Sequence, residues 1–507
     1  MKKTIALLVF SGIFLISCND DDPIIPGPVE PTPENYGSGS ADFTKYVALG
    51  NSLTAGYSDL ALFVDGQNAS FPNMLASSFA SAGGGTFTIP FMADNLGGLT
   101  LMGQPLPGFG NRLFLSFASG SPSPTPVAGS GSTEVSTVLT GPFNNMGVPG
   151  ATSYHLVAPG YGNVQGVPLG LANPYFARFA SSSTTSILQD AAVQSPTFFS
   201  LWIGNNDVLG YAVSGGAGTD QTGNLDPTTY TRNDITDPNV FANVYNILLQ
   251  TLTANGAKGV VANIPDVTAL PYFTTVPYNP IPLDAATAAV VNQAYLPYNG
   301  GIQAALAALS GTGLFTAEEA ARRTINFSAG QNAVVIVDED LTDLGAINPA
   351  FAALPKYRQA TAEDLLVFTS QTILGTLANP NDPTSINGVA VPLADQWVLT
   401  PEEQLAVATA TQSYNQTIAA LANQFGLAFF DADAFYNSII EVGVPLSDGS
   451  TLTGTYGTGG GFSLDGVHPS PRGSALLANQ FIKVIESKYG AALPEVDPLE
   501  YTGLYIN

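Results

Sequence analysis

The sequence predicts an α/β fold built on a mostly parallel sheet, and three observations predict it. From Phe43 onward, short apolar runs alternate with amphipathic or Ala-rich stretches, the pattern of βαβ units. The runs end in glycine or small polar residues, the punctuation of strands passing into turns and helices. No internal repeat recurs at a fixed period, which disfavours a solenoid or a propeller. With 507 residues, 45% of them hydrophobic, and a mean hydropathy of +0.19, the chain has the material for one large α/β core with insertions.

The amino terminus has its own logic. Lys2 and Lys3 precede an apolar run over residues 5–16, which ends at Ser17-Cys18. About 20 apolar residues are needed to span a bilayer, so residues 1–17 read as a signal peptide rather than a membrane span. Leu15-Ile16-Ser17-Cys18 resembles the lipobox of bacterial lipoproteins. The resemblance implies lipidation at Cys18 and a lipid anchor in the outer membrane of the bacterial cell envelope. Cys18 is also the single cysteine, so no intrachain disulfide forms. Residues 18–41 follow as a linker, with Asp20, Asp21 and Asp22, a Pro-rich stretch to Glu34, and Gly37-Ser38-Gly39-Ser40. Such a composition makes an extended, flexible spacer. Its acidic cluster has two readings of equal weight: a solvated linker, or a segment resembling the surface-export signal of Bacteroidetes lipoproteins.

The folded domain is expected over residues 42–507. Strands are predicted at residues 46–49, 145–148, 197–203, 259–264 and 427–430. Helices are predicted at 72–82, 239–254 and Pro401–Gln424, the last opened by Thr400 with Glu403 three residues on, a capping box. An amphipathic helix is expected at 474–487. Two long segments interrupt this pattern. Residues 83–142 are Gly/Pro/Ser-rich, with apolar patches at Phe91-Met92 and Leu113-Phe114. Residues 272–400 carry helical patterns at 284–309, 318–323 and 361–377, and a strand-like run at 334–337. Structureless loops of such length are improbable inside a domain, so both are expected to be folded insertions forming a cap.

The formal charge is −25, from 39 acidic and 14 basic residues, with no basic cluster to offset it. Nucleic-acid binding, which depends on Lys and Arg neutralising phosphates, is thereby excluded as a function class.

The chemistry is expected around residues 46–57, YVALGNSLTAGY, where Ser52 follows a strand ending in Gly50. The carboxyl ends of strands in open α/β sheets are where ligands bind. A serine nucleophile needs a base, and the chain has only two histidines, His155 and His468. His468 stands in a Gly/Pro-marked loop, FSLDGVHPSPR, with Asp465 three residues before it. A turn of that length lets the carboxylate bind Nδ1, fix the tautomer and stabilise the imidazolium. His155 has no acidic neighbour in sequence, lies in a helical stretch, and reads as a bystander. Donors for an oxyanion are offered by two further strand ends, NNMGVPGATS with Gly147 and Gly150, and FSLWIGNND with Asn205 and Asn206.

With these residues in view, the chain resembles the SGNH hydrolases, also called the GDSL esterase/lipase family. Gly50-Asn51-Ser52-Leu53, residues 145–150, Gly204-Asn205-Asn206-Asp207 and Asp465-Gly466-Val467-His468 match the family's four blocks. The resemblance implies Ser52 as nucleophile, His468 as base, and Asp465 as the residue orienting the base. It also implies an oxyanion hole made of the Ser52 and Gly150 N–H groups and the Asn206 side-chain amide. The fold it implies is a three-layer α/β/α sandwich with a parallel sheet of flavodoxin-like order. Asn51 stands where the family usually has Asp; it keeps much of the turn-forming role while losing the charge. No G-x-S-x-G, Walker loop or H-E-x-x-H string occurs, and neither a metal nor a cofactor is expected.

The expected activity is hydrolysis of lipid or short-chain carboxylic esters by a monomer. The alternatives are a carbohydrate esterase that deacetylates glycans, and a non-catalytic surface lipoprotein that binds glycan or a partner. The intact Ser, Gly, Asn and His set argues against the last. The two insertions are expected to set specificity.

Overall fold

Five apolar runs pair side by side into one parallel sheet. In the computed structural model, which describes residues 35–118 and 120–506, they are β1 (Tyr46–Gly50), β2 (Asn145–Gly147), β3 (Phe198–Trp202), β4 (Lys258–Ala262) and β5 (Ala428–Phe430). The spatial order is β2-β1-β3-β4-β5, every pair parallel. This 2-1-3-4-5 order is doubly wound: the chain runs outward in one direction from β1 to β2, then crosses back to β3. The register aligns Gly50 with Gly147 on one side and with Trp202 on the other, so three strand ends finish level. All residues of β1 and β3 are buried, as expected of strands covered on both faces.

The helices are α1 (Ser52–Ala55), α2 (Phe71–Ser81), α3 (Asn206–Val213), α4 (Pro238–Thr253), α5 (Ala285–Ala308), α6 (Pro401–Gln424) and α7 (Pro471–Tyr489). The predicted helices over 72–82, 239–254, 401–424 and 474–487 form as α2, α4, α6 and α7 and pack on the sheet, whereas α5 belongs to the second insertion. On one face, Phe71 of α2 stacks on Phe481 of α7 at 4.7 Å, and both meet Trp202 edge-on. Opposite them, Phe241 of α4 stacks on Tyr414 of α6 at 4.2 Å. The capping box of α6 forms, with Thr400 N donating to Glu403 Oε2 at 2.7 Å and Glu403 N to Thr400 Oγ1 at 3.4 Å.

Both long segments are folded. Residues 83–142 contribute Met92, Leu99 and Val135 to a small apolar cluster with Leu62 and Tyr175, and a hairpin pairs Leu113–Ser116 with Ser123–Pro126. Residues 272–400 build a separate core around Ile302 of α5, Phe327, Val335, Leu366 and Val398. The helix expected over 361–377 does not form. Leu365–Leu366 instead pairs antiparallel with Val398–Leu399, and Phe368–Thr372 makes a 3₁₀ turn. The cause is Asp364, whose carboxylate is held by the buried Arg358 guanidinium at 2.6 and 2.7 Å and by Thr361 N at 2.7 Å. That buried pairing outweighs the helical propensity of the segment.

The folded body begins earlier than residue 42. Gly37 exchanges two backbone hydrogen bonds with Ala492, and Ser40 N donates to Tyr489 O at the end of α7, so this Gly/Ser patch belongs to the domain rather than to the spacer. Cys18 and the leader lie outside the described residues. Among the described residues no helix is long and apolar enough to cross a membrane.

Candidate active site

The site forms where β1, β2 and β3 end, at the point where the winding of the sheet reverses. At Gly50 the chain folds back so tightly that a Cβ would lie 2.2 Å from Thr54 Oγ1 and 2.4 Å from Trp202 O, which only glycine avoids. Asn51 then caps α1, its Oδ1 accepting from Leu53 N at 3.0 Å. Ser52 is therefore the first helical residue, 7% exposed, and its Oγ lies 2.8 Å from His468 Nε2.

The loop carrying His468 is closed on itself by Ser463 N donating to His468 O and Gly466 N to Ser463 O. Asp465 uses both oxygens. Oδ2 meets His468 Nδ1 at 3.0 Å, while Oδ1 accepts from His468 N at 2.8 Å and Val467 N at 2.9 Å. Burial alone would raise this carboxyl. The positive charge of a protonated His468, its ring hydrogen bond and the two backbone donors outweigh burial and hold Asp465 down to about 2. Asp465 is thus an anion aimed at Nδ1, which leaves Nε2 to face Ser52. The ring of Tyr57 leans on the imidazole, centroids 4.8 Å apart.

Gly150 and Asn206 come from the next two strand ends. Gly150 takes φ +80°, the left-handed region that favours glycine. Asn206 opens α3, and its Nδ2 donates to Ala151 O at 2.8 Å, beside Gly150. The neighbouring Asp207 is wholly buried and accepts from Ser153 N at 2.8 Å and Ser153 Oγ at 2.6 Å. Burial pushes Asp207 up to about 6, with the Ser153 bonds opposing. A further link joins the two asparagine turns, as Asn51 Nδ2 donates to Asn205 Oδ1 at 3.1 Å. An aspartate at residue 51 lacks that donor, so the amide is matched to its neighbour.

Ser52, His468 and Asp465 thus form one hydrogen-bonded chain, and the Asn206 turn is laced both to the Gly150 loop and to the Ser52 turn. His155 stays apart from them. Its Nδ1 accepts from Thr152 N at 3.2 Å, its ring stacks on Tyr161 at 4.1 Å, and burial lowers it to about 4, so it is neutral.

One residue of the site escaped the sequence reading. Asp59 Oδ1 accepts from Leu464 N at 2.9 Å, Asp59 N donates to Ser463 Oγ at 3.1 Å, and Leu60 N donates to Asp465 Oδ2 at 3.2 Å. Asp59 and Leu60 adopt φ +51° and +64°, a conformation that costs energy outside glycine and presents both N–H groups to the histidine loop. Burial pushes the Asp59 carboxyl up to about 6, although Leu464 N opposes this. These partners lie some 405 residues away in sequence, so no local signal marks them.

Away from the site, the carboxylates of Glu339, Asp395 and Glu403 can bring oxygens within 4.8 Å of one another. Burial and then mutual repulsion push Asp395 to about 7 and Glu403 to about 8, and Glu403 is already engaged in capping α6. Compared with known proteins, the chain matches no family model, no curated protein and no solved structure.

Proposed function

We propose that this chain is a serine ester hydrolase of the SGNH (GDSL) type, anchored by lipid at Cys18 to the outer membrane. The observation that carries the reading is the unbroken chain Ser52 Oγ, His468 Nε2, His468 Nδ1, Asp465 Oδ2, with contacts of 2.8 and 3.0 Å. The doubly wound five-stranded sheet, with Ser52 at its reversal point, is compatible with the α/β/α sandwich of that family.

The geometry performs acyl transfer as follows. His468 Nε2 takes the Ser52 proton as Oγ attacks the ester carbonyl, and Asp465 stabilises the imidazolium. The oxyanion is held by the N–H groups of Ser52 and Gly150 and by the hydrogen of the Asn206 amide that does not go to Ala151 O. The imidazolium then gives its proton to the leaving alcohol. Water, deprotonated by His468, attacks the acyl-serine, and collapse of the second tetrahedral intermediate releases the acid and regenerates Ser52. The substrate is a lipid or short-chain carboxylic ester.

The test is turnover of p-nitrophenyl esters from acetyl to long-chain acyl by wild type and Ser52→Ala. Loss of all turnover in Ser52→Ala, with folding unchanged, is expected. Activity confined to acetyl esters would move the substrate to acetylated glycans. Inactivity of the folded wild type on every ester would favour a binding protein.

A further inference from the structure

We propose that Asn173 is a positioning residue for the oxyanion site: by holding the Pro149 carbonyl, it fixes the direction of the Gly150 N–H. The inference rests on the reading of Gly150 as an oxyanion donor, and it concerns a residue outside all four sequence blocks.

A left-handed glycine is a poor place for a fixed donor, because glycine crosses between conformations more freely than any other residue. Around Gly150 little packing restrains it, the nearest heavy atom to a Cβ built there being Asn173 Nδ2 at 3.9 Å. The Pro149–Gly150 peptide is the centre of a turn closed by Ala151 N donating to Val148 O at 3.1 Å, and its carbonyl is anchored from outside that turn by Asn173 Nδ2 at 2.8 Å. That peptide is trans, so its C=O and N–H point in opposite directions. Tethering the oxygen on the Asn173 side turns the Gly150 N–H the other way. A carbonyl that accepts a hydrogen bond also polarises its amide and makes the N–H a stronger donor.

The anchor is itself over-determined. Asn173 Oδ1 accepts from Tyr175 N at 2.9 Å and Phe176 N at 3.3 Å, capping the short helix Pro174–Ala177. Asn173 N donates to Tyr161 O at 2.8 Å, and Nδ2 also lies 3.2 Å from Tyr161 Oη. Tyr161 stacks on His155, which binds Thr152 two residues past Gly150. The neutral His155 thus acquires a place: it closes a ring of contacts from the glycine loop through Tyr161 and Asn173 back to the same loop. Asn173 is 8% exposed, so its amide meets little competition from solvent.

Asn173→Ser separates positioning from capping. The serine hydroxyl still caps the short helix but is too short to reach Pro149 O. The expected result is a kcat on p-nitrophenyl acetate lower by roughly 10- to 100-fold, with KM within about 2-fold, since the donor acts on the transition state. The melting temperature is expected to stay within a few degrees. Tyr161→Phe, which keeps Asn173 but removes one of its partners, is expected to lower kcat by about 2- to 10-fold in the same pattern. Should Asn173→Ser fail to fold, Tyr161→Phe decides alone. Unchanged kcat in the folded variants, beside a wild type that Ser52→Ala silences, overturns the role of Asn173 and leaves the hydrolase reading intact. So does a loss that appears in KM and melting temperature rather than in kcat. Turnover that persists in Ser52→Ala overturns the hydrolase reading itself.

Discussion

Asp465→Asn is the perturbation that most sharply probes the electrostatics of the site. In the native loop the carboxylate is held near 2 against an ordinary 3.8. Replacing it with a neutral amide removes the negative charge that stabilises the imidazolium formed when Ser52 gives up its proton. The amide does further damage. The backbone N–H groups of His468 and Val467 both point at Oδ1, so the amide oxygen of Asn takes that position and the NH₂ faces His468 Nδ1. The imidazole is then forced to carry its proton on Nε2, the wrong tautomer to accept from Ser52. In a serine protease the same inversion costs about 10⁴ in kcat, and a loss on the order of 10³- to 10⁴-fold is expected here. Asp465→Ala leaves the tautomer free and is expected to be the more active variant of the two. The assay is kcat on p-nitrophenyl acetate at pH 8 with melting temperatures in parallel. A folded Asp465→Asn within about 5-fold of wild type would refute the tautomer argument.

Three further outcomes are expected. Asp59, pushed up to about 6, resists ionisation in the folded state; its neutral form favours folding at low pH, and this advantage disappears as pH rises from about 4 through 6. Asp59→Asn keeps the acceptor for Leu464 and tolerates φ +51°, so urea midpoints should show its stability relative to wild type rising by up to about 3 kcal/mol between pH 4 and 8; a pH-independent difference would contradict the burial argument. Gly150→Ala places a Cβ in ordinary contact with Asn173 Nδ2 at 3.9 Å but at φ +80°, costing about 1–2 kcal/mol of backbone strain, and should lower kcat more than KM in steady-state kinetics. Thr400→Ala removes half of the α6 capping box, which shares no hydrogen bond with Ser52, His468 or Asp465, and should destabilise by about 1 kcal/mol in thermal melts while leaving kcat unchanged.

The strands and their glycine ends were legible because a strand buried on both faces is written as a continuous apolar run, as in Phe198–Trp202. The pairing of Asp465 with His468 was legible because it closes within one turn. Legibility failed where a contact is made in space rather than along the chain. Leu365–Leu366 looks helical in sequence, and only the Arg358 guanidinium and the partner strand Val398–Leu399 draw it out into a strand. Asp59 and Asn173 are ordinary polar residues in sequence; their roles come from a histidine loop some 405 residues away and from a carbonyl 24 residues back. Asn51 read as a departure from a motif until Asn205 appeared opposite it.

The central claim is that the Ser52 hydroxyl, made nucleophilic by His468, attacks the carbonyl. Reaction of the folded protein with a fluorophosphonate, followed by mass spectrometry of its peptides, tests this most directly. One phosphonyl adduct is expected, on Ser52, absent in Ser52→Ala and slowed at least roughly 100-fold in His468→Ala. An adduct on another serine, or labelling that persists unchanged in Ser52→Ala, would contradict it.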